Sequence, residues 1–311
     1  MPTSLAFVFP GQGSQSLGML AEHAQQQRVL DTFGEASEAL GYDLWALTQQ
    51  GPEERLNQTD KTQPAILTAS IALWRQWLAD SGAQPAFVAG HSLGEYSALV
   101  AAGSLSLTEA VKLVELRGQL MQQAVPAGQG GMAAILGLED ADVLDACAEA
   151  ANGEVVSAVN FNAPGQVVIA GGAAAVERAI EACKARGAKR AMPLPVSVPS
   201  HCALMRPAAE KFAESVAALN WSMPSISLVQ NVSAAVPADL DTLKRDLLAQ
   251  LYSPVRWVES VQFLAAQGVT ELVECGPGKV LAGLNKRCVK GITTHNLDSA
   301  DAFAAARAAL V

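Results

Sequence analysis

Gly90-His91-Ser92-Leu93-Gly94 stands between an apolar run and a helical one. Ahead of it, Ala86-Phe87-Val88-Ala89 reads as a short buried strand. Behind it, Glu95-Tyr96-Ser97-Ala98-Leu99-Val100-Ala101-Ala102 reads as a helix stopped by Gly103. Strand, tight turn flanked by glycines, helix: this is the context of a G-x-S-x-G nucleophile elbow. Such a turn lifts the Ser92 hydroxyl above a sheet, at the N-terminus of a helix. There the backbone N–H of Leu93 is free to stabilise an oxyanion. A small-residue turn without chemistry fits the five residues alone equally well, and the flanking strand and helix favour the nucleophile.

Composition narrows the class. Of 311 residues, 50% are hydrophobic and 16% charged, enough for one large domain or a body with an inserted unit. No apolar run reaches the length of a membrane span. No Lys or Arg precedes the first apolar stretch, so no secretory signal is expected. Five cysteines without a C-x-x-C pair argue against a disulfide framework or a zinc site. These features point to a soluble cytoplasmic chain. A net charge of -9 disfavours nonspecific nucleic-acid binding, and an acidic partner would need a local basic patch.

Upstream, Leu5-Ala6-Phe7-Val8-Phe9 is a strand that runs into Pro10-Gly11-Gln12-Gly13-Ser14-Gln15. Ser16 stands where a dinucleotide fingerprint needs its third glycine, so a loop offering backbone donors is the better reading. Residues 20–50 read as helical, broken by Gly51-Pro52, and residues 64–80 as a helix with Pro64 near its start.

Downstream, Ser106-Leu107-Thr108-Glu109 is a capping box that opens a helix to about Ala124. At helical steps of about 100°, Arg117 falls inside the apolar arc with Ala110 and Leu113. A buried guanidinium needs a paired anion. The partner is a protein carboxylate or a ligand, unless the side chain snorkels out.

Residues 127–197 read as strand, helix, strand, strand, helix, strand. That order is ferredoxin-like, and it marks an inserted subdomain between a body of 1–126 and 198–311. A turn over Asn160–Gly165 joins its middle strands. Beyond it come Val198-Pro199-Ser200-His201, a helix with Pro207 in its first turn, and a strand Ile226–Val229 leading to Gln230-Asn231. A helix Leu240–Leu251 follows, then a helix from Pro254 and a strand Glu271–Cys275. Gly276-Pro277-Gly278-Lys279 comes next, and an alanine-rich helix closes the chain. Strands alternating with helices indicate an α/β body with a largely parallel sheet.

A serine nucleophile needs a general base. Of four histidines, His91 adjoins Ser92 and would point away from it. His201, in a loop, is the expected base, exposed. No acidic residue stands out as a third member, and a backbone carbonyl can orient an imidazole instead.

Phe9-Pro10-Gly11-Gln12-Gly13-Ser14-Gln15, Gly90-His91-Ser92-Leu93-Gly94-Glu95 and Pro199-Ser200-His201 together resemble the malonyl-CoA–acyl carrier protein transacylase family. Arg117, Gln250 and Gly276-Pro277-Gly278 match in order, and the resemblance covers essentially the whole chain. It implies an α/β hydrolase-like body with a ferredoxin-like subdomain. It implies Ser92 as nucleophile, His201 as base and acid, and the N–H groups of Gln12 and Leu93 as oxyanion hole. Arg117, with Gln12, would bind the malonyl substrate, and the Gln250 carbonyl would orient His201. Malonyl-CoA and the acidic acyl carrier protein are the implied partners, with no cofactor, no nucleic acid, no membrane and a monomeric state. Val198-Pro199-Ser200-His201 departs from the usual malonyl and methylmalonyl tetrapeptides, so malonyl selectivity rests on Arg117 and the whole-chain match.

Two other classes stay open on sequence: a hydrolase using the same dyad, and a non-catalytic carrier-protein docking module. Two basic clusters could meet an acidic carrier: Lys286, Arg287 and Lys290, and Lys184, Arg186, Lys189 and Arg190.

Overall fold

A computed structural model describes residues 4–80, 83–196 and 198–311. Its first half runs β1 (Ser4–Phe9), α1 (Gln27–Leu40), α2 (Leu44–Gln50), α3 (Glu53–Leu56), α4 (Thr59–Asp80), β2 (Phe87–Gly90), α5 (Gly94–Ala101) and α6 (Leu107–Ala124). A middle unit follows with β3 (Gly130–Leu136), α7 (Asp140–Ala151), β4 (Val156–Ala163), β5 (Gln166–Gly172), α8 (Ala173–Ala185) and β6 (Arg190–Pro193). The rest is α9 (Arg206–Ala218), β7 (Ser227–Val229), α10 (Leu240–Ala249), α11 (Trp257–Ala266), β8 (Val269–Glu274), α12 (Val280–Cys288), β9 (Thr293–Asn296) and α13 (Ala300–Leu310).

β1 is buried on both faces, which is why it reads as a continuous apolar run. It lies in the middle of a five-stranded sheet of order β7-β2-β1-β8-β9, with every pairing parallel. Phe7 and Phe9 point to one side, where Trp74 and Trp77 of α4 meet the Phe7 ring edge-on at 5.0 and 5.5 Å. Ala6 and Val8 point to the other, into a cluster with Val261 and Leu264 of α11 and Leu281 and Leu284 of α12. Helices on both faces of a parallel sheet make this an α/β fold. The middle unit has its own core and a four-stranded antiparallel sheet, order β4-β5-β3-β6. It touches the body where the Phe161 N–H donates to Val255 and the Val255 N–H to Val159.

Several boundaries differ from the expected ones. The helix placed at 64–80 begins at Thr59, so Pro64 lies inside it. Its missing N–H leaves the Asp60 carbonyl without the ladder bond that any other residue at 64 would give it. The 20–50 stretch is not one helix: a 3-10 turn, Ala21–His23, precedes α1, and Gly41 at φ 77° ends α1 before α2 begins. The long turn over Asn160–Gly165 shrinks to Pro164-Gly165, because β4 continues to Ala163. β6, read from the sequence as Lys189–Val196, is Arg190–Pro193, and the helix expected from Pro254 starts at Trp257. α12 and β9 were not expected at all; the first N–H groups of α12 are satisfied by Glu274, which accepts from Leu281 and Ala282. Residue 197, the expected end of the insertion, lies outside the described residues.

Candidate active site

The turn after β2 is tight enough to exclude side chains. A Cβ on Gly90 would lie 1.9 Å from the carbonyl carbon of Gly94, and one on Gly94 would lie 2.0 Å from the Phe9 oxygen. The chain therefore folds sharply between them, and Ser92 sits at φ 53°, a left-handed conformation that L side chains rarely adopt. Its N–H is held by Asn231 Oδ1 at 2.7 Å, and Asn231 Nδ2 donates to Gly90 O at 2.6 Å. One asparagine at the end of β7 thus braces both sides of the turn.

His201 also has positive φ, 65°, and is buried. The expectation of an exposed base is corrected here: its N–H donates to Leu251 O, and the loop folds inward against the end of α10. The ring spans two contacts, Nδ1 to Gln250 O at 2.6 Å and Nε2 to Ser92 Oγ at 2.7 Å. A carbonyl only accepts, so Nδ1 carries the proton and Nε2 offers its lone pair to the serine. Burial first, then the charge of Arg117, lowers the His201 pKa to about 3. His91 turns away, its Nε2 2.7 Å from Asn162 Oδ1 and its ring beside Trp257. Cys202 is buried with its thiol on Pro199 O.

Arg117 is 1% exposed. Nη1 donates to Gln63 Oε1 at 2.9 Å, Nη2 to Gln250 Oε1 at 3.0 Å, and Nη2 also lies 3.5 Å from Ser92 Oγ. Nε has no partner among the described residues, and the guanidinium lies 5.3 Å from the Tyr96 ring centroid. None of the described ion pairs includes Arg117. The snorkelling and carboxylate-paired alternatives are both set aside: the cation is inside, held by two neutral amides.

Ser92, His201 and Arg117 open into a cavity of about 370 Å³. Gln12 and Leu93 line it from the body, and Met132 and Val168 from the middle unit. The backbone N–H groups of Gln12 and Leu93 have no partner among the described residues. Among those residues, no group of three or more His, Cys, Asp or Glu side chains could hold a metal ion. The five cysteines are free and buried, and no described helix is long and apolar enough to cross a membrane.

A sequence model of the acyl transferase domain family matches residues 6–303. The malonyl CoA-acyl carrier protein transacylase of Salmonella typhimurium is 61% identical, over 98% of this chain and 99% of that protein. The chain belongs to the malonyl CoA-acyl carrier protein transacylase family. The Escherichia coli K12 transacylase is 60% identical over the same shares. Among solved structures, an acyl carrier protein S-malonyltransferase from Vibrio cholerae superposes with a TM-score of 0.96 at 59% identity, covering 98% of this chain and 100% of that one. A second is a malonyl-transacylase solved with its type II PKS acyl-carrier protein, with a TM-score of 0.97 at 54% identity, covering 99% and 100%.

For this transacylase-family chain, sequence reasoning missed three supports of the site. Gln63 holds Arg117 from α4, Asn231 braces the elbow, and Glu95 is wholly buried beneath it. Asn231 follows a strand of the parallel sheet, and polar residues at such strand ends often face the site. That signal could have found it. Burial of Gln63 and Glu95 leaves no comparable mark in the sequence.

Proposed function

We propose that this chain moves a malonyl group from coenzyme A to the phosphopantetheine thiol of acyl carrier protein, for fatty acid synthesis, through a malonyl-Ser92 intermediate. The observation that carries the reading is one cavity holding a serine–histidine pair with a buried guanidinium 3.5 Å from the serine oxygen. His201 Nε2 takes the Ser92 proton as Oγ attacks the thioester carbonyl. The tetrahedral oxyanion is held by the N–H groups of Gln12 and Leu93. Its collapse breaks the C–S bond, and His201 gives its proton to the departing coenzyme A thiolate. The carrier thiol then passes its proton to His201 and attacks the acyl-serine carbonyl, and Ser92 leaves with that proton. Arg117 clamps the free malonyl carboxylate with parallel hydrogen bonds. The Gln250 oxygen takes the place of a triad acid.

The sheet order β4-β5-β3-β6 supports reading 127–197 as a ferredoxin-like subdomain inserted in an α/β hydrolase-like body of 1–126 and 198–311. The chemistry needs no cofactor, since the coenzyme A thioester is itself the substrate. The reaction as proposed calls on no residue of a second copy, in keeping with a monomer, and free buried cysteines fit the cytoplasm.

Intact-protein mass spectrometry after mixing with malonyl-CoA tests the reading. A malonyl adduct should appear, vanish on adding carrier protein, and be absent from Ser92→Ala. An adduct on that variant would sink the nucleophile assignment. Release of free malonate at the rate of adduct loss would make the chain a hydrolase instead.

A further inference from the structure

Glu95 follows the elbow directly, and its side chain is fully buried. Its Oε2 accepts from Gln250 Nε2 at 2.9 Å and from the Asn231 N–H at 3.0 Å. Its Oε1 accepts from Gln230 Nε2 at 3.2 Å. All three donors are neutral. The other end of the Gln250 amide, Oε1, accepts from Arg117. One amide therefore separates a buried anion from a buried cation, with its donor end on the carboxylate and its acceptor end on the guanidinium. A buried guanidinium without any anion is costly. A carboxylate paired directly with it would fill the edge that a ligand carboxylate needs.

We infer that Glu95 is the counter-charge and positioning residue of Arg117, held one amide away so that the empty guanidinium is balanced while its grip on the acyl carboxylate is weakened. The inference rests on the malonyl-transfer reading above. With substrate bound, two carboxylates share one guanidinium, and their mutual repulsion loosens the second. A transfer enzyme needs that, because an acyl group held too tightly on Ser92 would not pass to the second thiol.

Glu95→Gln removes the charge and can keep the bonds to Gln250 and Asn231. Gln230 Oε1 is buried without a partner. A turn of the Gln230 amide would let it accept from the new carboxamide, which still offers its own oxygen to Gln250 and Asn231, at the loss of the bond from Gln230 Nε2 to Leu243 O. Burial raises the Glu95 pKa to about 7, so the comparison is made at pH 8, where the carboxyl is ionised. The measured quantity is the malonyl-CoA concentration for half-maximal acylation of Ser92, with inhibition by acetyl-CoA as the control. Glu95→Gln should lower the malonyl-CoA value about tenfold, as expected for removing one like charge, one amide beyond the guanidinium, from a partly screened interior. The acetyl-CoA value should not move, and transfer from malonyl-enzyme to carrier protein should slow. A malonyl-CoA value that stays or rises, or one that moves in step with acetyl-CoA, overturns the inference.

If the variant does not fold, the wild-type chain carries the test at pH 6 and pH 8. The ionisable groups set against Glu95 are Tyr96 on its own helix and Arg117 on α6; His201 and His91 are the titratable groups of the adjoining site. Tyr96 is pushed up, His201 lies at about 3, burial moves His91 down and away from this interval, and a guanidinium keeps its charge, whereas burial moves Glu95 up into it. Half-saturation by malonyl-CoA should be lower at pH 6, relative to acetyl-CoA, which carries the same coenzyme. Equal ratios at both pH values overturn the counter-charge. A wild-type chain that malonyl-CoA does not acylate at all would overturn the functional reading instead.

Discussion

Arg117 Nη2 donates to Gln250 Oε1 at 3.0 Å, an amide where a buried cation ordinarily meets a carboxylate. A neutral partner orients the guanidinium without quenching it. Arg117→Ala should therefore cost malonyl acylation roughly 30-fold to several thousandfold, the equivalent of about 2–5 kcal/mol for a truncated charge pair. Acetyl acylation, which offers no second carboxylate, should fall far less. Arg117→Lys should recover only part, because an ammonium cannot form the planar two-point contact. Rates with both thioesters and a melting curve check this; equal losses with a lowered melting temperature would make Arg117 a purely structural residue.

Ser92 is held at φ 53°, where a Cβ is disfavoured. Ser92→Gly should be more stable than Ser92→Ala by about 1 kcal/mol, since glycine adopts this conformation freely. Urea denaturation of the two inactive variants, side by side, measures the difference. Equal midpoints would show that the elbow carries no such strain.

His201, with its pKa lowered to about 3, is neutral across the range in which an ordinary histidine titrates. The profile of kcat/KM for malonyl-CoA should therefore lack an ascending limb near pH 6.5. The linked stability has a definite sign. Between about pH 3 and 6.5 the unfolded chain binds the extra proton at this site, so the contribution of His201 is full above 6.5 and is lost as the pH falls. The stability gap between wild type and His201→Gln should shift towards the variant on acidification. A gap that does not change with pH would mean that His201 titrates normally in the folded protein.

Arg287 is not a free surface charge: Nη2 donates to Pro164 O at 2.8 Å and Nη1 to Gln166 Oε1, tying α12 to the β4–β5 turn. Lys184 and Arg186 are likewise paired, with Glu181 and Glu149. The basic clusters are thus partly spent within the fold. Lys286→Glu should raise the KM for carrier protein several-fold, with malonyl-CoA acylation unchanged and the effect fading in salt. Arg287→Glu should lower the melting temperature as well. Steady-state kinetics at low and high ionic strength separate the two; a Lys286→Glu enzyme with normal carrier kinetics would move docking elsewhere.

The sequence carried the elbow because its signal is local: two glycines, a serine, and a strand and helix of ordinary pattern. It also carried the place of Arg117 on the apolar arc, from the helical period alone, but not the choice between a buried and a snorkelling side chain. The capping box at Ser106 and Glu109 formed as expected, being a contact across three residues. What stayed hidden depends on chain closure. His201 reads as an exposed loop histidine until residues 250 and 251 are brought beside it. Glu95 looks like a favourable charge in the first turn of a helix, and only the arrival of Gln230, Asn231 and Gln250 shows why it is buried. α12 escaped for the same reason, its N-terminus being capped by a residue of the strand before it.

The imidazole of His201 is oriented by a main-chain oxygen, and every amino acid at position 250 would bring one. In a serine–histidine–aspartate triad a single codon change deletes the orienting group. Here no missense change can delete it; a change can only displace it by moving the end of α10. The side chain of the same residue has no such protection: its Oε1 accepts from Arg117, and its Nε2 donates to the Ser92 carbonyl at 3.0 Å. Mutational drift at position 250 would therefore loosen the guanidinium and the serine turn together, while the oxygen that orients the base stays in place.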